Sequence, residues 1–316
     1  MFRNRTETLA GLLFRQGKSY GRQEVQLNVQ DLILPGSRKT IVLPGRGALP
    51  IREVAEFHQG VPVLLLHGWG ATADLNFATV YRPLAKKWRL VAPDLRGHGA
   101  GIVSKEKFSL EVCADDAAAL VRSLGLGPAI CLGYSMGGPV AQLMARRHPD
   151  VVAGLVLCAT APKFVSNSWE RLLLMRFSNL AFNARNAQDN FLPLKYFAPK
   201  LLRVLEATGS LARFDSTSWL PYLNVPTSIV LTSADHLVPP DDQRLLAQIP
   251  KSKVFEIDAG HEACVTHSSR LVEAIELGLD SIERRIKRAG TQGDTKCSAT
   301  SKTKPKAGGK GKVAVA

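Results

Sequence analysis

A chain of 316 residues, 45% hydrophobic and 22% charged, is long enough to bury one large core and too apolar to remain unfolded. Its net charge of +14 would suggest a polyanionic partner, but between Glu283 and Ala316 ten Lys and Arg face two acids, so +8 of the charge lies at one end and the body carries only +6. No apolar run approaches the ~18 residues of a membrane-crossing helix, and the five cysteines (Cys113, Cys131, Cys158, Cys264 and Cys297) are odd in number and form no Cys-x-x-Cys pair, which argues against a disulfide framework and for free thiols in a reducing compartment.

Residues 1–24 read as an N-terminal extension. It carries Arg3, Arg5 and Arg15, but its apolar stretch from Leu9 to Phe14 is short, interrupted by Gly11 and followed by no clear cleavage site, so no signal peptide is expected. Segments around Val25 to Leu34 and Pro50 to Phe57 read as antiparallel edge strands, separated by turns at Gly36 and Gly45 to Gly47. Next come short apolar runs bounded mostly by Gly, Pro or Asp: Val61 to Leu66, Leu90 to Ala92, Ala129 to Leu132, Leu155 to Cys158, Ser228 to Leu231 and Val254 to Ile257. Such runs predict strands buried on both faces of a parallel sheet. Helical stretches lie between them. In one, Leu110, Cys113, Ala117, Leu120, Val121 and Leu124 recur at about 3.6-residue spacing. This alternation predicts an α/β class with a mostly parallel central sheet and helices on both faces.

The alternation fails between Pro162 and Leu223. That stretch has no strand signal and reads as amphipathic helices, with Trp169, Leu172, Leu173, Phe177 and Leu180 near one side of the first. The expected organisation is therefore a core over 25–161 and 224–288, a helical lid over 162–223, and a tail over 289–316. The tail is rich in Lys, Gly, Ser and Thr, and its composition predicts disorder because it offers almost no apolar surface to offset the entropy of ordering.

One motif carries chemistry. In "CLGYSMGGP", Ser135 stands within a frame of glycines directly after a strand-like run and before a helix from Met136 to Arg147. A sharp turn is the plain reading; the other is a nucleophile elbow, Gly133-Tyr134-Ser135-Met136-Gly137, which lifts a serine hydroxyl above the sheet. Pro139 suits the first helical turn, where a missing N–H leaves no intrahelical bond unmade. A serine needs a base held in one tautomer by a third polar group. Downstream, Asp235 follows one strand-like run and His261 follows the last, both at carboxyl ends, where open α/β sheets gather their sites.

The set Leu66-His67-Gly68-Trp69-Gly70, Pro93-Asp94-Leu95-Arg96-Gly97-His98-Gly99, Gly133 to Gly138, Asp235 and Gly260-His261, in this order, resembles the α/β-hydrolase-fold serine hydrolases of the lid-bearing esterase and lipase type, over roughly Val25 to Lys287. The resemblance implies a catalytic triad of Ser135, Asp235 and His261, and an oxyanion hole formed by the backbone N–H groups of Trp69 and Met136. It implies no cofactor and no metal. His67 and His98 read as structural turn residues, and Asp94 as a partner of local backbone. The His236/Asp241 spacing reads as coincidence, and the "HEACVTH" spacing does not fit a helical zinc motif. Serine at the elbow excludes the aspartate-nucleophile chemistry of epoxide hydrolases and haloalkane dehalogenases.

The function expected is hydrolysis of an ester or thioester of an apolar acyl group through an acyl-enzyme. The alternatives are carbon–carbon bond hydrolysis or perhydrolysis, and a non-catalytic binding protein on the same fold. The expected partner is a small-molecule or lipid-like acyl substrate, with no specific nucleic acid partner, and the expected location is cytoplasmic. For the basic tail, a solvated end is the plain reading; weak peripheral contact with an anionic membrane is the other.

Overall fold

The computed structural model describes residues 34–55, 60–104, 106–164 and 194–300, with 194–202 and 290–300 as backbone only. The described residues open with a hairpin of β1 (Ser37–Leu43) and β2 (Gly47–Val54), closed by a turn in which the Arg46 N–H donates to the Leu43 carbonyl at 3.0 Å. Gly45 within this turn has φ +70°, which a side chain would resist. The sequence places no strand at Ser37 to Leu43, where β1 lies, and Gly45 to Gly47, expected between two strands, form the turn and the start of β2. The reason is physical: most of β1 is solvent-exposed, so Ser37 to Thr40 carry no apolar alternation to read. Most of the segment from Val25 to Leu34 lies outside the described residues, as do residues 56–59 at the end of the second expected strand.

The core alternates strand and helix: β3 (Val63–Leu66), α1 (Ala73–Ala85), β4 (Leu90–Pro93), α2 (Leu110–Ser123), β5 (Ala129–Tyr134), α3 (Gly137–Arg147) and β6 (Val152–Cys158). Then follow α4 (Leu194–Arg213), β7 (Thr227–Thr232), α5 (Pro240–Arg244), β8 (Lys253–Ile257), α6 (Ala263–Thr266) and α7 (Ser268–Thr300). The eight strands form one sheet in the order β1-β2-β4-β3-β5-β6-β7-β8. β1 and β2 are antiparallel, as is the β2–β4 pair, and every later pairing is parallel.

Successive side chains of a strand point to opposite faces, and the core divides accordingly. Leu64, Leu66, Cys131, Leu155 and Leu157 pack with α2 and α3 on one face. Val63, Leu65, Ile130, Leu132 and Val156 pack with α1 and α7 on the other. Because both faces are covered, β3, β5 and β7 are buried along their whole length, which is why they read as continuous apolar runs. Helices α1 and α2 start at side-chain caps: Thr72 Oγ1 accepts from the Leu75 N–H, and Ser109 Oγ from the Val112 N–H, each at 3.1 Å.

Of the stretch read as a lid, residues 165–193, including Trp169 to Leu180, lie outside the described residues. The described part includes α4, whose second half packs on the core through Ala207 and Leu211. Its Ser210 Oγ accepts from the Leu110 N–H at 3.3 Å, and its Glu206 carboxylate from the Phe108 N–H at 2.9 Å. At the other end, α7 continues as backbone helix to Thr300, beyond Gly290, where composition places the loss of apolar residues. A helix nucleated on packed turns extends at little further cost, and composition does not read that. Among the described residues no helix is long and apolar enough to cross a membrane.

Candidate active site

Ser135 occupies the turn between β5 and α3, with φ +52°. Such a conformation costs a side-chain-bearing residue ~1–3 kcal/mol and persists only where surrounding structure enforces it. The enforcement is visible. The Ser135 N–H donates to the Cys158 carbonyl at 3.0 Å, and its own carbonyl accepts from Thr160 Oγ1 at 2.7 Å. The turn also requires glycine on both sides: a Cβ on Gly133 would stand 2.3 Å from the Gly137 carbonyl oxygen, and one on Gly137 only 1.9 Å from that of Leu66. The plain-turn reading of the motif and the elbow reading are thus one geometry, in which the turn is sharp because the backbones touch.

Three side chains converge on this turn from three separate loops. Ser135 Oγ lies 3.0 Å from His261 Nε2, and His261 Nδ1 lies 2.8 Å from Asp235 Oδ2. With the Nδ1 proton directed at the carboxylate, the Nε2 lone pair faces the serine hydroxyl, the arrangement a general base requires. Asp235 has a fully buried side chain, whereas 13% of the His261 side chain reaches solvent. The carboxylate is amply paired: Oδ1 accepts from the Leu237 and Val238 N–H groups at 2.9 and 2.8 Å. Oδ2 also receives Thr232 Oγ1 at 2.9 Å and Gln243 Nε2 at 3.3 Å.

The loop after β3 completes the site. The Gly68 N–H donates to Asn76 Oδ1 at 2.7 Å, and Asn76 Nδ2 reaches Cys264 Sγ at 3.7 Å, joining this loop to the one that carries His261. The Trp69 indole N–H donates to the Val204 carbonyl of α4 at 2.9 Å. Among the described residues the backbone N–H groups of Trp69 and Met136 have no acceptor. Met136 immediately precedes α3, where helix N–H groups are free and the dipole favours negative charge. Tyr134 binds from the elbow itself, its hydroxyl donating to the His261 carbonyl.

The other residues singled out in the sequence stand apart. His67 is fully buried; its Nδ1 bonds the Gly68 carbonyl and its Nε2 accepts the Leu95 N–H, each at 2.8 Å. Burial depresses its pKa to about 4, so it is a neutral brace between two strand ends. His98 is depressed to about 4 by burial, and next by the neighbouring His67. Asp94 accepts from the Ala73 and Ala100 N–H groups at 2.8 Å each, a partner of local backbone as read. His236 is exposed, and Asp241 pairs with Arg244 at 3.0 Å. Cys113, Cys131, Cys158 and Cys264 are free and buried, and burial pushes the Cys131 thiol up to about 12. Cys297 lies where only backbone is described. Among the described residues no group of His, Cys, Asp and Glu could hold a metal ion.

Sequence reading missed Thr232, Gln243, Tyr134, Thr160 and Asn76. None carries a spacing signature, and only Tyr134 lies within a motif. A cavity of about 120 Å³ beside the Gly97 turn is lined by His98, Ile102, Phe108 and Arg203, without any of Ser135, Asp235 or His261.

Residues 61–195 match the model of the alpha/beta hydrolase fold family. The chain is 29% identical over 249 residues to a pimeloyl-[acyl-carrier protein] methyl ester esterase of Chromobacterium violaceum, covering 71% of this chain and 96% of that one. It is 31% identical over 202 residues to the protein of the same name from Neisseria meningitidis serogroup C, covering 56% and 77%. Among solved structures, a thermophilic esterase from Thermogutta terrifontis superposes with a TM-score of 0.63 at 29% identity, covering 78% of this chain and all of the other.

Proposed function

Since the chain belongs to the α/β-hydrolase family, we propose that it hydrolyses an ester or thioester of an apolar acyl group through an acyl-enzyme on Ser135. Ester hydrolysis as a class follows from the family and from its esterase relatives; the residue roles and the covalent step are our reading. The observation that carries it is the continuous relay from Ser135 Oγ to His261 at 3.0 Å and on to Asp235 at 2.8 Å.

In the mechanism these residues support, the Ser135 hydroxyl attacks the ester carbonyl carbon while His261 Nε2 takes its proton. Asp235 holds the imidazole in the productive tautomer and stabilises the imidazolium. The carbonyl oxygen gains charge as the tetrahedral intermediate forms, and the Trp69 and Met136 N–H groups receive it. His261 then returns the proton to the leaving alcohol or thiol, and the bond to that group breaks. Water repeats the sequence on the acyl-enzyme, releasing the acid and regenerating Ser135.

Segment 162–223 is proposed to form a helical lid over the acyl group. Its α4 already touches the oxyanion loop through Trp69 and Val204. The relatives' name puts a methyl ester of a carrier-bound acyl chain among the substrates to try. The basic tail is proposed to make weak, salt-sensitive contact with anionic membranes.

The test is a panel of p-nitrophenyl esters of increasing acyl length beside a methyl ester and an acyl thioester. Turnover is expected with medium acyl chains, and Ser135→Ala or His261→Ala should lower it by on the order of 10⁴ to 10⁶. Rates equal to background across the whole panel would instead favour carbon–carbon hydrolysis, perhydrolysis or binding.

A further inference from the structure

The turn that carries Asp235 is flanked by two buried polar side chains, Thr232 and Gln243, whose hydrogen bonds lead to one carboxylate oxygen. We infer that Thr232 and Gln243 are positioning residues for the proton relay, setting the direction and basicity of Asp235 Oδ2. This rests on the proposed roles of Ser135, His261 and Asp235.

Thr232 ends β7 and Gln243 belongs to α5, and both are fully buried. Gln243 Oε1 accepts the Thr232 N–H at 3.1 Å, which fixes which end of the amide faces the carboxylate. Its Nε2 then has two hydrogens, and its shortest contacts are the Val238 carbonyl at 2.8 Å and Thr232 Oγ1 at 2.9 Å. A donor pointing into the threonine oxygen leaves that hydroxyl to donate elsewhere, and Asp235 Oδ2 stands 2.9 Å away. The bonds therefore run one way, from Gln243 to Thr232 to Asp235, meeting the bond that arrives from His261.

A purely structural role would be satisfied by the other oxygen. Asp235 Oδ1 already receives two backbone N–H groups at 2.8 and 2.9 Å, which anchor the turn. The Thr232 hydroxyl, oriented by Gln243, instead falls on Oδ2, the atom that faces His261 Nδ1. Donors on a carboxylate oxygen withdraw charge from it and lower its basicity. Removal of the Thr232 donor strengthens the pull of Asp235 on the imidazolium relative to the neutral ring. Because only the neutral ring can accept the serine proton, the acidic limb of the rate profile should then move upward.

The experiment measures the rate at which a fluorophosphonate inactivates the full chain, between about pH 5 and 9. This readout follows Ser135 reactivity without requiring the natural substrate. Thr232→Val, which keeps the shape and removes the donor, should shift the acidic limb up by about half a pH unit or more. Thr232→Ser should restore it. In an Asp235→Asn background, adding Thr232→Val should change the rate less than about twofold, because the group it acts through is gone. A wild-type limb in Thr232→Val, or an equal rate loss with and without Asp235, would overturn the inference while leaving the hydrolase reading intact. Wild-type protein that is not labelled at Ser135 would overturn that reading and this inference with it.

Discussion

At the residue scale, the histidines divide by environment rather than by type. His261 bonds to a carboxylate and a hydroxyl, whereas His67 and His98 are sealed beneath the turns with pKa values near 4 against an ordinary 6.5. Above pH ~6.5 these two rings are neutral in the folded and unfolded chains alike. As the pH falls, the unfolded chain takes up protons that the folded chain refuses, so stability declines until about pH 4, where the folded rings also titrate. The slope should be about 1.4 kcal/mol per pH unit for each ring. Urea unfolding at about pH 7, 6 and 5 checks this, and His98→Leu should remove roughly half of the effect. A stability that is flat across that range, or a slope unchanged in His98→Leu, would contradict it. The meeting of Ser135, His261 and Asp235 was legible because the roles proposed for them demand a fixed order on this scaffold. Thr232, Gln243 and Asn76 were not, since their partners are fixed only when the loops meet in space.

At the scale of elements, the elbow depends on backbones in contact. Gly137→Ala would place a Cβ 1.9 Å from the Leu66 carbonyl oxygen, and a strand backbone at the centre of the sheet has little room to retreat. The substitution should destabilise by about 2–3 kcal/mol or more and displace Ser135 from His261, which urea unfolding and fluorophosphonate labelling would show together. An unchanged midpoint with full labelling would mean that the contact relaxes freely. Burial also decided which elements could be read. β3, β5 and β7, covered on both faces, appeared as apolar runs, and α2 showed its stripe of Leu110, Cys113, Ala117 and Leu120. β1 was not anticipated because its exposed residues leave no pattern, and the extension of α7 to Thr300 had no signal in composition.

At the scale of the whole molecule, the sheet brings together residues far apart in sequence. Ser135 follows β5, Asp235 follows β7 and His261 follows β8, so their meeting depends on strand order and parallel register rather than on any local segment. The charge lies elsewhere, with +8 of the +14 between Glu283 and Ala316. Removing residues 290–316 should therefore leave turnover of a soluble ester unchanged, while co-sedimentation with anionic vesicles at low salt should fall. Binding that ignores salt, or that survives the deletion, would remove the tail from the account. The central claim, that Ser135 is the nucleophile of an ester hydrolase, is tested most directly by mapping the peptide modified when the full chain reacts with a fluorophosphonate. A single adduct on Ser135, absent from Ser135→Ala and from His261→Ala, is the predicted result; no adduct, or one on another residue, would contradict it.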